Sequence, residues 1–335
     1  MDLNGDGYND VLSGSWPGEL FLFEGGPNGA YAERRMLTDK DGEIINIGGG
    51  IREENDPFNP SGNMILIYGT AEFETTDEGT FAIYQGRRIE STAGTSIGIT
   101  GTASTVHPAD WDGDGDYDLI VGDINGNVYL IPNEGTATSY AFGKETQLQA
   151  SGKPLTVGSR AGPYAADWDG DGDLDLIVGD EGGFVFLYRN TGTAKAPKLA
   201  AATRLMENGR ISDDPQRVGQ AERGTRAKVC VADWNGDGKP DLLVGDMVVV
   251  RPDLPEPTAQ ERAEYDRIRK ELEPLRQRSN EIGSRLFSVP RVEDQAERQK
   301  LEEEMNALSQ QISALQSKLP PEREQHGWVW LFLRK

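Results

Sequence analysis

Asp110-Trp111-Asp112-Gly113-Asp114-Gly115-Asp116-Tyr117-Asp118 returns 57 residues later as Asp167-Trp168-Asp169-Gly170-Asp171-Gly172-Asp173-Leu174-Asp175. Side-chain oxygens at positions 1, 3, 5 and 9, with the backbone carbonyl of position 7 (Asp116, Asp173), make the all-oxygen set that a hard cation such as Ca²⁺ takes. Glycines at positions 4 and 6 permit the sharp turn that aims those oxygens inward. Without a cation the carboxylates repel one another. A plain Asp-Gly turn cluster is the alternative reading, but such turns do not need carboxylates at fixed alternate positions.

The same order of residues occurs twice more. Asp2, Asn4, Asp6 and Asp10 flank Gly5 and Gly7, with Tyr8 at position 7; Asp233, Asn235, Asp237 and Asp241 flank Gly236 and Gly238, with Lys239 at position 7. Four loops of one pattern predict about four bound Ca²⁺. An EF-hand would need a bidentate Glu at position 12 and helices on both sides. Position 12 is instead Ser13, Val121, Val178 and Val244, and the flanks Asp118-Leu119-Ile120-Val121-Gly122 and Gly126-Asn127-Val128-Tyr129-Leu130 are short and β-prone. The loops therefore join strands.

Aligned at Asp110 and Asp167, residues 110–137 and 167–194 agree at 20 of 28 positions, including Asp-Leu-Ile-Val-Gly-Asp and Asn-x-Gly-Thr-Ala. Asp2 precedes Asp110 by 108 residues, close to two repeat lengths, which predicts a further, decayed unit near residue 57. In it Gly62-Asn63-Met64-Ile65-Leu66-Ile67-Tyr68 aligns with the second strand, and Pro57, Asn59, Ser61 and Ile65 occupy the ligand positions, so it should bind no calcium. Five units are expected, starting near residues 2, 57, 110, 167 and 233. Each has strand, loop, strand, turn and strand, with a fourth strand such as 141–148. Periods of this length built from short antiparallel strands predict an all-β β-propeller.

The loops Asp-Trp-Asp-Gly-Asp-Gly-x-x-Asp-Leu and the following Val-Gly-Asp resemble the FG-GAP, or VCBS-repeat, family, whose relatives include the integrin alpha-chain head. The resemblance covers everything except residues 251–325 or so, giving a propeller over 1–250 and 326–335. It implies a calcium-binding, bacterial-type exported protein acting in binding or adhesion, although some polysaccharide lyases also use calcium-bearing propellers. A binding module for protein or glycan and a propeller lyase or hydrolase both stay open, because fold alone does not decide function. Met1 stands directly before position 1 of the first loop, where the other units have Ala109, Ala166 and Ala232 ending an inner strand. Gly327–Leu333 reads as a third strand with no fourth after it. The chain is thus expected to be a fragment, or a gene model begun at an internal Met, with any signal peptide lost upstream.

A net charge of −22 argues against nucleic acid as a partner. No apolar run reaches the ~18 residues of a membrane span. Loops of this kind bind in the ~0.1–1 mM range of extracellular modules, which predicts a secreted, periplasmic or cell-surface location. The single cysteine, Cys230, excludes an internal disulfide and, in an inner-strand pattern, is expected to be a buried small hydrophobe. His107 and His326 are the only histidines, and no HExxH, nucleophile elbow, phosphate loop or CxxC is present. No catalytic residue is therefore assigned. Trp111, Trp168 and Trp234 follow the repeat and are expected to pack between blades, whereas Trp16, in the turn Ser15-Trp16-Pro17-Gly18, is a candidate exposed aromatic for a sugar or partner.

Residues 251–325 interrupt the last unit. Tyr265, Ile268, Leu272, Leu275, Ser279, Ile282 and Leu286 step by three and four, as do Leu301, Met305, Leu308, Ile312, Leu315 and Leu319, the seam of an antiparallel coiled-coil hairpin broken at Ser288-Val289-Pro290. Helices of about 28 to 31 residues would reach roughly 40–45 Å. Pro274 should kink or split the first. Leu286, Phe287 and Val289 are expected to lack apolar partners at the tip, which raises self-association or docking there beside a plain spacer.

Overall fold

The computed structural model describes residues 1–55, 63–76, 79–90, 95–207, 223–250, 252–288 and 295–335. Among them the chain is mostly β, in many small sheets, with two long helices. The Asp110 unit is a four-stranded antiparallel meander of Thr105–Ala109, Asp118–Gly122, Val128–Ile131 and Thr146–Gln147; the Asp167 unit repeats it with Gly162–Ala166, Asp175–Gly179, Val185–Tyr188 and Thr203–Met206. In both, the acidic loop joins the first strand to the second, and in the Asp110 unit the fourth strand falls within the expected 141–148. The Asp2 unit has three strands, Val11–Gly14, Leu20–Phe23 and Arg35–Met36; the Asp233 unit has Thr225–Ala232, Asp241–Val250 and Glu324–Phe332.

These sheets stack face to face. Alternate side chains of a strand point to opposite faces, and in the Asp110 unit Leu119 and Val121 on one face and Ile120 on the other are all fully buried. Leu119, Val121, Ile131 and Phe142 pack against Leu20 and Leu22 of the Asp2 unit. Ile120 and Val128 pack against Leu176 and Val178. Ile177, Val185 and Leu187 pack against Ala227, Leu242 and Val244 of the Asp233 unit. Each fully buried aliphatic side chain of this kind stabilises by ~1.5–3 kcal/mol.

The order of stacking differs from the one that the repeat spacing predicts. The Asp2 unit packs directly on the Asp110 unit, and Ile65 and Ile67 of Asn63–Tyr68 belong to a different core. All three junctions share one backbone signature. Ala103, Arg160 and Arg226 adopt left-handed φ values of 48°, 49° and 60°. Their amides donate to the carbonyls of Trp16, Ile124 and Glu181, and the next amides, Ser104, Ala161 and Ala227, donate to Ser15, Asp123 and Asp180. At each junction a Cβ on the glycine before that acceptor, Gly14, Gly122 or Gly179, would run into the carbonyl of Ser104, Ala161 or Ala227. Glycine is needed there because the backbone of the next unit passes over it.

The described residues between Gly50 and Thr100 make two further sheets, tied to the Asp2 unit where the Thr70 amide donates to the buried Glu19 carboxylate at 2.9 Å and Asn46 Nδ2 donates to the Tyr68 carbonyl at 3.2 Å. Asn63–Tyr68 pairs antiparallel with Gly50–Asn55 but parallel with Thr95–Thr100, whereas the Asp110 and Asp167 units are antiparallel meanders. Between them Ala71–Thr76, Gly79–Tyr84 and Arg87–Ile89 make a second sheet. Ile67, Ala82, Tyr84 and Ile89 give the segment a core of its own. Pro57, Asn59 and Ser61 lie outside the described residues; Ile65 is on a strand. The spacing misled because the insertion happens to be about as long as a repeat.

At the other end Asp241–Val250 and Glu324–Phe332 run on as a ribbon, in unbroken register from Leu242 opposite Phe332 to Val250 opposite Glu324, and carry the helices. Helix α1 is Ala259–Ser288 and α2 is Gln295–Gln316. Thr258 caps α1 reciprocally: its amide donates to the Glu261 carboxylate at 2.7 Å, and the Glu261 amide donates to Thr258 Oγ1 at 3.3 Å. Leu272, Ile282, Leu301 and Leu308 are buried along the expected seam. Pro274 does not split α1, which runs through it as one helix. At the tip, Leu286 packs against the Ile282–Leu301 core rather than lacking apolar neighbours; Val289 and Pro290 lie outside the described residues.

Candidate metal centres

Each acidic loop is shaped by its own backbone. The Asp2 carboxylate accepts the amides of Gly5 (2.7 Å), Asp6 (3.2 Å) and Gly7 (2.8 Å), which holds its pKa below the usual carboxylate value, the Gly7 bond contributing most. Asp167 repeats this with Gly170, Asp171 and Gly172, and Asp233 with Gly236, Asp237 and Gly238. Both glycines of every loop are left-handed, for example Gly113 at φ 70° and Gly115 at φ 97°. The local turn therefore brings positions 1, 3 and 5 together: one oxygen from each of Asp110, Asp112 and Asp114, and one from each of Asp167, Asp169 and Asp171, lie within 4.8 Å of one another.

Position 9 has a structural task. Asp118 is buried and uses both oxygens: Oδ2 accepts the Trp111 amide at 3.1 Å and Oδ1 the Asn133 amide at 2.7 Å. Asp10 holds Leu3 and Gly25, Asp175 holds Trp168 and Asn190, and Asp241 holds Trp234 and Arg334 in the same way. These carboxylates clamp the loop to the end of the third strand. Burial pushes the Asp118 carboxyl up to about 6 against the lowering effect of those two amides.

An oxygen-seeking cation fits the Asp110 loop. Asp110 Oδ1 and Asp116 Oδ1 are buried without a hydrogen-bond partner, a costly state that a cation would relieve. Burial, and then the Asp114, Asp112 and Asp110 charges, raise the Asp116 pKa. In the Asp173 loop, position 7 instead accepts the Ala194 amide at 2.7 Å, and Arg189 stands 3.3 Å from Asp169. In the two asparagine-containing loops the position-5 carboxylate is already hydrogen-bonded within the loop: Asn4 Nδ2 donates to Asp6 at 3.2 Å and Asn235 Nδ2 to Asp237 at 3.1 Å. Tyr8 and Lys239 supply amides to Asp6 and Asp237, both at 2.9 Å.

The Asp2 and Asp110 loops also touch the following unit. A Cβ on Gly5 would run into Thr138, and one on Gly113 would stand 3.0 Å from Ala194 Cβ. Asn133 and Asn190 organise those outer turns, Asn133 Oδ1 accepting the amides of Gly135 and Ala141 and Asn190 Oδ1 those of Gly192 and Lys198. Sequence reasoning did not give these asparagines a role. Their constant distance of 15 residues from Asp118 and Asp175 was the available signal.

The other candidates divide. Trp111 is buried between units and Trp168 is part-buried beneath the Arg334 guanidinium. Trp234 and Trp16 are exposed. Cys230 is exposed, not buried: Val229 and Val231 face the Asp167 unit, so the residue between them points to the opposite face. His107 stacks on Tyr164 with ring centres 4.0 Å apart, and burial lowers its pKa to about 4. Among the described residues no helix is long and apolar enough to cross a membrane.

Comparison with solved structures gives remote likenesses. One is a lectin of Agrocybe aegerita that recognises non-reducing terminal N-acetylglucosamine, at 16% identity and a TM-score of 0.29 over 73% of this chain and 61% of the lectin. Another is BBS1N in complex with ARL6DN, at 13% identity and a TM-score of 0.28 over 73% of this chain and 74% of the other. This chain thus spans less than two thirds of the lectin's length. No curated protein matches it. The model of the FG-GAP-like repeat matches residues 110–178 and 167–244, the stretch whose loops and junctions are described above. Over residues 110–244 the chain is made of FG-GAP-like repeats.

Proposed function

We propose that this chain is a calcium-stiffened arc of propeller blades, four in number, that serves as an extracellular or periplasmic binding module for a protein or glycan. The observation that carries the calcium reading is the pair of buried, unpartnered oxygens of Asp110 and Asp116 in a loop whose carboxylates converge. The ligands would be positions 1, 3, 5 and 9 of each loop with the position-7 carbonyl, an oxygen set suited to Ca²⁺. Calcium bound there would order a loop that already leans on the next unit, so its effect would be to brace the stack. The modest affinity of such loops supports a location where calcium is abundant.

Metal counting on chelator-stripped protein returned to saturating calcium tests the first half. Four equivalents with a raised melting temperature are expected; two or fewer, or no rise, would sink it. Binding on a glycan array with no product formed supports the module, whereas new unsaturated or reducing ends would turn the reading to a lyase or hydrolase. Fractionation of the native host that finds the protein in the cytosol would contradict the location.

A further inference from the structure

The strand registers give each unit a leading face, set against the unit before it, and a trailing face, set against the unit after. On the trailing face Leu20, Val128, Val185 and Val329 are equivalent, since each pairs with the glycine that ends the second strand. The first three are fully buried; Val329 is 72% exposed. At the neighbouring register position Leu22 and Leu187 are 0% and 2% exposed and Leu331 is 40%. The loop residues Leu3 and Trp111 are buried whereas Trp234 is 63% exposed.

The Asp2 unit shows the mirror situation. Val11 corresponds to Leu119, Leu176 and Leu242, each paired with the last residue of the third-strand register, and it is 43% exposed where they are buried. Tyr31, bridged to Gly25, corresponds to Phe142 bridged to Asn133 and Leu199 bridged to Asn190. Phe142 and Leu199 are buried and Tyr31 is 52% exposed. These two exposed faces thus match the two halves of one interior junction. At Gly245 an added Cβ would meet nothing nearer than Lys228 O at 3.8 Å, where the other three glycines are covered by backbone.

We infer that the trailing face of the Asp233 unit, centred on Trp234, Val329 and Leu331, receives the leading face of the Asp2 unit, Val11 and Tyr31, of a second copy of this chain. The contact continues the junction used three times inside the molecule, and the strands that supply Leu119, Val121 and Ile131 at the interior junction have their counterparts in Val11–Gly14 and Leu20–Phe23. It is a heterologous contact, which closes into a ring or runs on as a filament according to the rotation per copy. The inference rests on the stacking of the sheets and stands apart from the calcium reading.

Complementation between two blocked variants of the full chain tests it. Val329→Glu with Leu331→Glu blocks the trailing face, and Val11→Glu with Tyr31→Glu blocks the leading face. Sedimentation in calcium should show the unaltered chain associated, each variant alone monomeric, and an equal mixture of the two forming a one-to-one dimer, since one intact half-junction survives in each. Cooperative thermal melting at the temperature of the unaltered chain establishes that both variants are folded. Val329→Ser and Val11→Ser serve if the charges disturb folding, with a smaller but same-signed weakening of association. A monomeric unaltered chain at high concentration overturns the inference. So does association that persists in both variants, which would place the contact elsewhere, the helical hairpin included.

Discussion

Asp118 reaches 15 residues along the chain to accept the Asn133 amide at 2.7 Å, and by that bond one carboxylate both closes the acidic loop and pins the end of the third strand. The same bond joins Asp175 to Asn190 at 2.7 Å and Asp10 to Gly25 at 2.8 Å. A residue placed in the loop for its charge is therefore also part of the framework.

Asp118→Ala should destabilise the protein even in chelator. It would leave the Trp111 and Asn133 amides without acceptors in a buried setting, at ~1–3 kcal/mol for each. Asp118→Asn, which keeps one good acceptor, should cost less. Denaturant unfolding with and without calcium separates the two roles; equal stability of Asp118→Ala and the unaltered chain in chelator would reduce Asp118 to a metal ligand.

Calcium should bind in two classes. The Asp110 and Asp167 loops carry five carboxylates each, while the Asp2 and Asp233 loops carry three with an asparagine already paired to the position-5 acid. Ligand charge tunes affinity in such loops, so titration calorimetry should resolve tighter and weaker sets. Asn4→Asp should move one site from the weaker set toward the tighter, and Arg189→Ala should tighten the Asp167 loop slightly by freeing Asp169. A single uniform class would count against this ordering.

His107 makes stability depend on mild acid. Its folded pKa of about 4 lies below the ordinary 6.5, so between those values the unfolded chain binds more protons and stability falls as pH is lowered. The contribution is intact above pH 6.5 and is lost on the way down to about pH 4, up to ~3 kcal/mol for a shift of this size. His107→Gln should flatten that part of the melting profile relative to the unaltered chain, while the carboxylate contribution common to both remains. Parallel profiles over this window would refute it.

Excision of residues 49–100 should leave the stack intact. Thr102 Oγ1 donates to the Ile47 carbonyl at 2.6 Å, so the two ends of the insertion already touch and a short glycine linker can join them. The shortened chain should keep its calcium-dependent melting and lose a few degrees at most. Loss of cooperative folding would instead make this segment an integral blade.

The local chemistry of this protein is written in short stretches of its sequence. Each loop's internal hydrogen bonds span seven residues or fewer, from Gly5 to Asp2 through Trp111 to Asp118, and the strand flanks are short runs rich in β-branched and aromatic residues, so both were legible residue by residue. The seam of the hairpin was legible for the same reason, since Leu272, Ile282, Leu301 and Leu308 repeat at helical spacing. What only the tertiary structure decided is which sheet lies on which. The approach of Ser104 to Ser15 spans 89 residues, and an insertion with its own core kept repeat spacing while standing outside the stack. Exposure followed the same rule. Cys230, Trp234 and Trp111 read alike as interior residues, but only Trp111 has a neighbouring sheet over it, and burial belongs to the face a residue shares rather than to the residue.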